Sequence, residues 1–186
     1  MELSDSEKLI LIMLSEIYEH LEIDGDIDPK FIQSAIHSGN NWGIKRKYTG
    51  IFSDSDGNNS SIVPEVQDIL DMWYILEYSY EKLSLEDKRK IKTEAAPFGR
   101  AVKFTGFDGN NEADYLNVAY FLVNDLELFS YLKDRDLNAH FYSLDAYRRM
   151  LAAYKPIRSS PTFGDSLSAT EIIQVLKEQT HPDHRK

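Results

Sequence analysis

Asn111-Glu112-Ala113-Asp114-Tyr115-Leu116-Asn117-Val118-Ala119-Tyr120-Phe121-Leu122-Val123-Asn124-Asp125-Leu126-Glu127-Leu128-Phe129-Ser130-Tyr131-Leu132-Lys133 is the stretch whose reading decides the fold. Tyr115, Ala119, Leu122, Leu126 and Phe129 recur at steps of three and four. Leu116, Val118, Phe121, Val123, Leu128 and Leu132 fill most of the remaining circumference. A helix that is apolar nearly all round is buried rather than laid on a surface. The turn Gly106-Phe107-Asp108-Gly109-Asn110-Asn111 leads into it, with Asp or Asn side chains suited to accept from free N–H groups of the first turn. Glu112 and Asp114 place negative charge at the positive end of the helix dipole. The expectation is one central helix over residues 111–133, roughly 35 Å long, with the other helices packed around it. Asn117 and Asn124, seven residues apart, then share a face. They are expected either to bond neighbouring helices or to fix the register of a packed or dimeric interface.

Outward from that stretch the chain reads as helices separated by turns. Ser4 and Glu7 have the spacing of a capping box, and the apolar pattern after them continues through Leu21. Asp28 and Pro29 open a second helix that Gly39 closes, and Trp42 to Tyr48 forms a short third. Pro64 opens a long helix in which Val66, Ile69, Trp73, Leu76, Tyr80 and Leu83 alternate steps of three and four. Ser84 caps a short basic helix. Val102-Lys103-Phe104 has extended character but no second strand to pair with. Ser143 caps a helix that Pro156 terminates, and Ser168 with Glu171 forms another capping box. The expected fold is all-α: a single globular domain of about seven helices over residues 1–180, with 181–186 as a frayed tail.

Composition narrows the function classes. The 186 residues are 42% apolar and 12% aromatic, ample for a core. A net charge of −10 disfavours general binding to nucleic acid or anionic membrane, both of which need a positive surface. No cysteine is present, so disulfides, thiolate zinc sites and a cysteine nucleophile are excluded. The start of the chain lacks the basic region of a secretory signal, and the longest apolar run, Leu9 to Leu14, is too short to span a bilayer. The expectation is a cytoplasmic protein.

Leu9-Ile10-Leu11, Ile69-Leu70-Asp71-Met72-Trp73-Tyr74, Phe104-Thr105-Gly106-Phe107-Asp108, Glu112-Ala113, Tyr115-Leu116, Tyr147-Arg148-Arg149-Met150-Leu151 and Leu167-Ser168-Ala169-Thr170-Glu171-Ile172 stand in this order along the chain. In them the sequence resembles the YfbU family of uncharacterised bacterial proteins. The loops at Ser53–Ser61 and Ser159–Ser166, and the tail after Glu178, depart from that pattern. The resemblance implies the helical fold and a bacterial cytoplasmic setting, and carries no activity onto any residue.

Candidate chemistry is sparse. Asp54, Asp56, Asn58 and Glu65 occupy positions one, three, five and twelve of an EF-hand-like loop. Asn59 stands where the glycine belongs and Pro64 already opens a helix, so a solvated loop is the preferred reading. Asp24, Asp26 and Asp28 are a weaker match, with Pro29 at the glycine position. No two of His20, His37, His140, His181 and His184 stand four residues apart, so a metalloprotease-like zinc pair is absent, and no metal or cofactor is expected. His140 near Asp134, Arg135 and Asp136 could do acid–base work but suits a solvated loop equally. There is no glycine-rich phosphate loop and no nucleophile elbow.

Two basic segments stand out: Lys45-Arg46-Lys47, and the run from Lys82 to Lys103 with Lys88, Arg89, Lys90, Lys92 and Arg100. Convergence of the two would make a positive face for nucleic acid. Tyr and Trp favour interfaces where one end stays wet, which marks Trp73, Tyr74 and Tyr78, with Asn117 and Asn124, as interface candidates. The expected function is protein–protein contact, including a homodimer and an unknown protein partner. A nucleic-acid-associated regulator is the alternative, and an enzyme comes third.

Overall fold

The computed structural model describes residues 2–49, 51–52, 62–161 and 163–184. Among these, eight α-helices and no strand are present: α1 (Asp5–His20), α2 (Pro29–His37), α3 (Trp42–Lys47), α4 (Ile62–Lys82), α5 (Leu85–Glu94), α6 (Ala113–Tyr120), α7 (Leu144–Arg158) and α8 (Ala169–Lys177). The expected all-α class is therefore the observed one. Short-range capping explains four of the helix starts. Ser4, Asp28, Ser84 and Ser168 each accept the backbone N–H three residues on, and Glu7 and Glu171 return the bond to complete capping boxes.

The chain forms two compact units, residues 1–64 with 117–135, and residues 65–116 with 136–186. The first unit is built on aromatic packing. The Phe121 ring lies 5.5 Å from both Phe31 of α2 and Trp42 of α3. Gly43 is required there, because a Cβ would sit 2.3 Å from the Phe121 ring. In the second unit the rings of Trp73, Phe104, Phe107 and Tyr147 pack with centroids about 6 Å apart or less. Phe107 and Asn138 form an isolated parallel bridge, with the Phe107 N–H on Leu137 O and the Ala139 N–H on Phe107 O, both at 2.9 Å.

The long central helix is not what forms. α6 ends at Tyr120, a π turn follows over Phe121–Asp125, and a 3-10 turn forms only at Ser130–Leu132. The Leu126 N–H reaches Phe121 O, five residues back, and the Leu128 N–H reaches Leu122 O, six back. Glu127 sits between them with φ +53°, so a left-handed residue ends the helix in a Schellman-type closure. Glycine usually occupies that position, and its absence is why the stretch reads as continuous. Phe121, Leu122, Val123 and Leu132 are buried as expected, whereas Leu128 is 46% exposed.

Two local expectations also change. Pro156 lies inside α7, which continues to Arg158. So close to the end, the proline forfeits one backbone bond and its fixed φ still suits the helix. Ser143 occupies the N-cap position of α7 but makes no capping bond with its side chain. Glu112 takes that role: its Oε1 accepts the backbone N–H groups of Ser143 and Leu144. Residues 182–184 form a 3-10 turn.

Candidate interaction surface

α1 is apolar along most of its length, yet Ser15 is its only buried residue. Its inner side rests on α2, with Leu11, Ile12 and Tyr18 half-buried and a 3.1 Å bond from Gln33 Nε2 of α2 to Glu19 Oε2. The outer side carries Leu9, Ile10, Met13, Leu14, Ile17 and Leu21, which are 50–62% exposed. Ile10, Leu14, Ile17 and Leu21 follow steps of four, three and four, the spacing of a coiled-coil seam. Six large apolar side chains in one contiguous stripe form a patch on the order of a few hundred Å², the size at which exposed apolar surface marks a contact site.

Beside the stripe lies a cleft of about 360 Å³ lined chiefly by Ile10, Leu11, Ile27, Ile32, Ile44 and Ile51. Asp28 holds its wall in place. The Asp28 carboxylate caps α2 through the Phe31 N–H at 3.1 Å and pairs with Lys47 Nζ of α3 at 3.0 Å, while its own N–H donates to Tyr48 Oη at 2.9 Å. Burial pushes the Asp28 carboxyl up, but the Lys47 ammonium and the α2 amides outweigh it and hold the group below the usual carboxylate range. The cleft can hold an aliphatic side chain.

The residues singled out by sequence fall in several places. Asn117 is exposed; its Nδ2 donates to Ser38 O at 2.7 Å and its Oδ1 accepts from Asn40 at 3.4 Å, so it secures the end of α2. Asn124 lies in the π turn, exposed, beside a polar depression shared with Asp28, Lys30 and Lys47. The π turn removes the common face that a seven-residue α-helical spacing implied. Trp73 is 2% exposed and belongs to the aromatic core, not to a surface. Tyr74 and Tyr78 do face outward, their rings stacked at 5.8 Å.

Much of the basic charge is engaged within its own unit. Lys47 also sits 4.1 Å over the Phe31 ring, Lys82 covers Tyr78 at 3.9 Å, and Lys88 Nζ donates to Glu81 O at 2.9 Å. Lys45 and Arg46 also have partners, while Arg89, Lys90 and Lys92 are exposed. The two basic segments belong to different units. Asp54, Asp56 and Asn58 lie outside the described residues. Glu65 is committed elsewhere, with Oε1 on Arg148 Nε at 2.7 Å and Oε2 accepting from Tyr115 Oη at 2.6 Å. No group of three metal-ligating side chains occurs among the described residues. His140 Nε2 lies 4.0 Å from Asp136 on open surface.

Two features of this surface were not legible in the sequence. One is the exposure of the α1 stripe, since apolar periodicity reports amphipathicity and not whether a partner covers it. The other is a groove of about 410 Å³ between α4 and α7 that gathers Asp68, Asp71, Tyr154, Lys155 and Arg158. Lys155 Nζ pairs with Asp68 at 2.7 Å. Burial and the neighbouring Asp68 charge push the Asp71 carboxyl up, against the pull of Arg158. These charges largely answer one another within the groove.

A model of the YfbU domain matches residues 1–178 of the chain. A UPF0304 protein of Methanocaldococcus jannaschii is 29% identical over 184 residues, covering 94% of this chain and 98% of the relative. Among the described residues no helix is long and apolar enough to cross a membrane.

Proposed function

We propose that this chain, which belongs to the YfbU domain family over residues 1–178, works through protein–protein contacts made by the outer face of α1. One observation carries the reading: a helix of 16 residues has five large apolar side chains half or more exposed, Leu21 at its C-cap adds a sixth, and only Ser15 is buried. Leaving such a face in water forfeits about 25 cal/mol for each Å² of apolar surface that a partner would cover. The adjacent cleft adds a socket for a side chain of that partner.

Leu14→Glu with Ile17→Glu tests this. Both positions point to solvent, so the variant keeps its helical circular dichroism while the face becomes charged. Co-purification and sedimentation of wild type and variant are then compared. Loss of an assembly in the variant supports the reading, and identical behaviour in every assembly overturns it. The basic side chains of α3, of α5 and at the end of α4 support nucleic-acid binding less well, because several are engaged locally and the chain carries −10 overall.

A further inference from the structure

We infer that the groove between α4 and α7 is a binding site for a free α-amino acid with an apolar side chain, its ammonium on Asp71 and its carboxylate on Arg158. This site is independent of the α1 face. Its volume of about 410 Å³ falls in the range of small-ligand pockets. Tyr74 and Ile75 of α4, with Leu151 and Tyr154 of α7, line it between the charged side chains.

The groove is held in shape at every charged or aromatic position but one. Lys155 is taken by Asp68 at 2.7 Å. The Arg158 guanidinium lies 4.7 Å from the centre of the Phe163 ring, and the Tyr74 ring is stacked on Tyr78. Tyr154, 6% exposed, is hydrogen-bonded to Arg158 and lies in the field of Asp71, so both charges flank one phenol. Among the described residues Asp71 makes no hydrogen bond and no ion pair; Arg158 pulls on it through space without pairing. Burial and the Asp68 charge raise the Asp71 carboxyl, so a cation delivered there answers a charge that the protein leaves open.

The charges that remain select the ligand. A phosphate or other anion at Arg158 would meet Asp68 and Asp71 in the same groove. A simple amine or a metal ion at Asp71 would meet Lys155 and Arg158. A molecule carrying both signs close together satisfies Asp71 and Arg158 at once, through charge-assisted hydrogen bonds. An α-amino acid holds the two charges on one carbon. A peptide carries them at opposite ends, so the free amino acid is the occupant. Its side chain then lies against Tyr74, Ile75 and the buried Leu151, a lining that favours an apolar group.

Isothermal titration of the full chain at neutral pH with L-leucine, L-isoleucine, L-methionine and L-phenylalanine tests the site. At least one should bind. Its desamino and decarboxylated analogues, 4-methylpentanoate and isoamylamine in the case of leucine, should bind about tenfold more weakly. Asp71 and Arg158 are exposed, so Asp71→Asn and Arg158→Gln should keep the helical circular dichroism of wild type. Asp71→Asn should remove the preference for the amino acid over its desamino analogue, and Arg158→Gln the preference over the decarboxylated one. A purely structural role for either side chain predicts no such split. No binding of any of the four at about 10 mM, where a millimolar site is nearly full, overturns the proposal. A decarboxylated analogue that binds as tightly as its amino acid makes the groove an amine site and overturns it too, as does binding that both variants retain unchanged.

Discussion

Glu112 Oε1 accepts the backbone N–H of Ser143 at 2.9 Å, so α7 is capped by a carboxylate 31 residues earlier in the chain. The same oxygen takes the Leu144 N–H at 2.8 Å. Oε2 takes the Asp108 N–H at 2.9 Å and lies 2.8 Å from Ser143 Oγ. The side chain is buried and its acceptors are all used. It ties the turn before α6 to the start of α7 and replaces a local cap with a tertiary one.

Glu112→Ala should therefore cost at least roughly 3 kcal/mol, because three backbone donors lose their acceptor in a buried place. Glu112→Gln keeps Oε1 but turns an amide toward the Asp108 N–H, and should fall between the two. Urea unfolding of the three proteins checks the order. A Glu112→Ala midpoint equal to wild type would show that the cap contributes nothing.

Gly106 should not tolerate a side chain. Its φ is +97°, and a Cβ would stand 1.8 Å from Leu137 O, a backbone atom of the bridge segment. Gly106→Ala adds a steric conflict to a left-handed conformation that alone costs about 1–3 kcal/mol in a non-glycine residue. Its carbonyl also accepts from Tyr147 Oη at 3.0 Å, so the displacement would reach the aromatic core. Loss of near-ultraviolet circular dichroism at a lower temperature than in wild type is the expected result.

Leu122 and Leu126 separate the observed helix from the continuous one. Leu122 is fully buried and Leu126 only half so. Leu122→Ala should cost roughly 2–5 kcal/mol, and Leu126→Ala about 1 kcal/mol. Equal losses in chemical denaturation would argue that the helix runs on unbroken past Asp125.

The Glu65–Arg148 pair makes a pH prediction. The Arg148 side chain donates to Glu65 through Nε and Nη2 and holds its carboxyl below the usual range, against a smaller push from burial. A depressed native value means the unfolded chain binds the proton more readily. The contribution is then complete above the unfolded value of about 4.3 and is lost as pH falls through the native one. Arg148 is half exposed, so the pair is worth only about 0.5–1 kcal/mol. The stability difference between wild type and Glu65→Gln should be level from neutrality to about pH 5 and shrink below it. A difference that widens on acidification would contradict the assignment.

Nucleic-acid binding should be no tighter than the non-specific range, roughly 10⁻⁴–10⁻⁶ M at physiological salt. Fluorescence anisotropy with mixed DNA and RNA oligomers measures it, beside a variant carrying Lys88→Glu, Arg89→Glu and Lys92→Glu. Submicromolar affinity that the variant loses would promote the basic helix α5 over the apolar face of α1.

What could be read from the sequence was what depends on near neighbours. Ser4, Asp28, Ser84 and Ser168 cap their helices through bonds three residues long, and the left-handed Gly39 closes α2 at φ +73°. Those interactions need nothing from the rest of the chain, and with apolar periodicity they determined the all-α class. The capping of α7 by Glu112 and the burial of Trp73 were decided by tertiary packing. Each depends on groups that the sequence keeps far apart. The α1 face makes the same point in reverse. Its apolar residues announce a helix that must be covered, but only the fold reveals that α2 covers one side and leaves the stripe from Ile10 to Leu21 exposed, because exposure is a property of neighbours and not of the residues themselves.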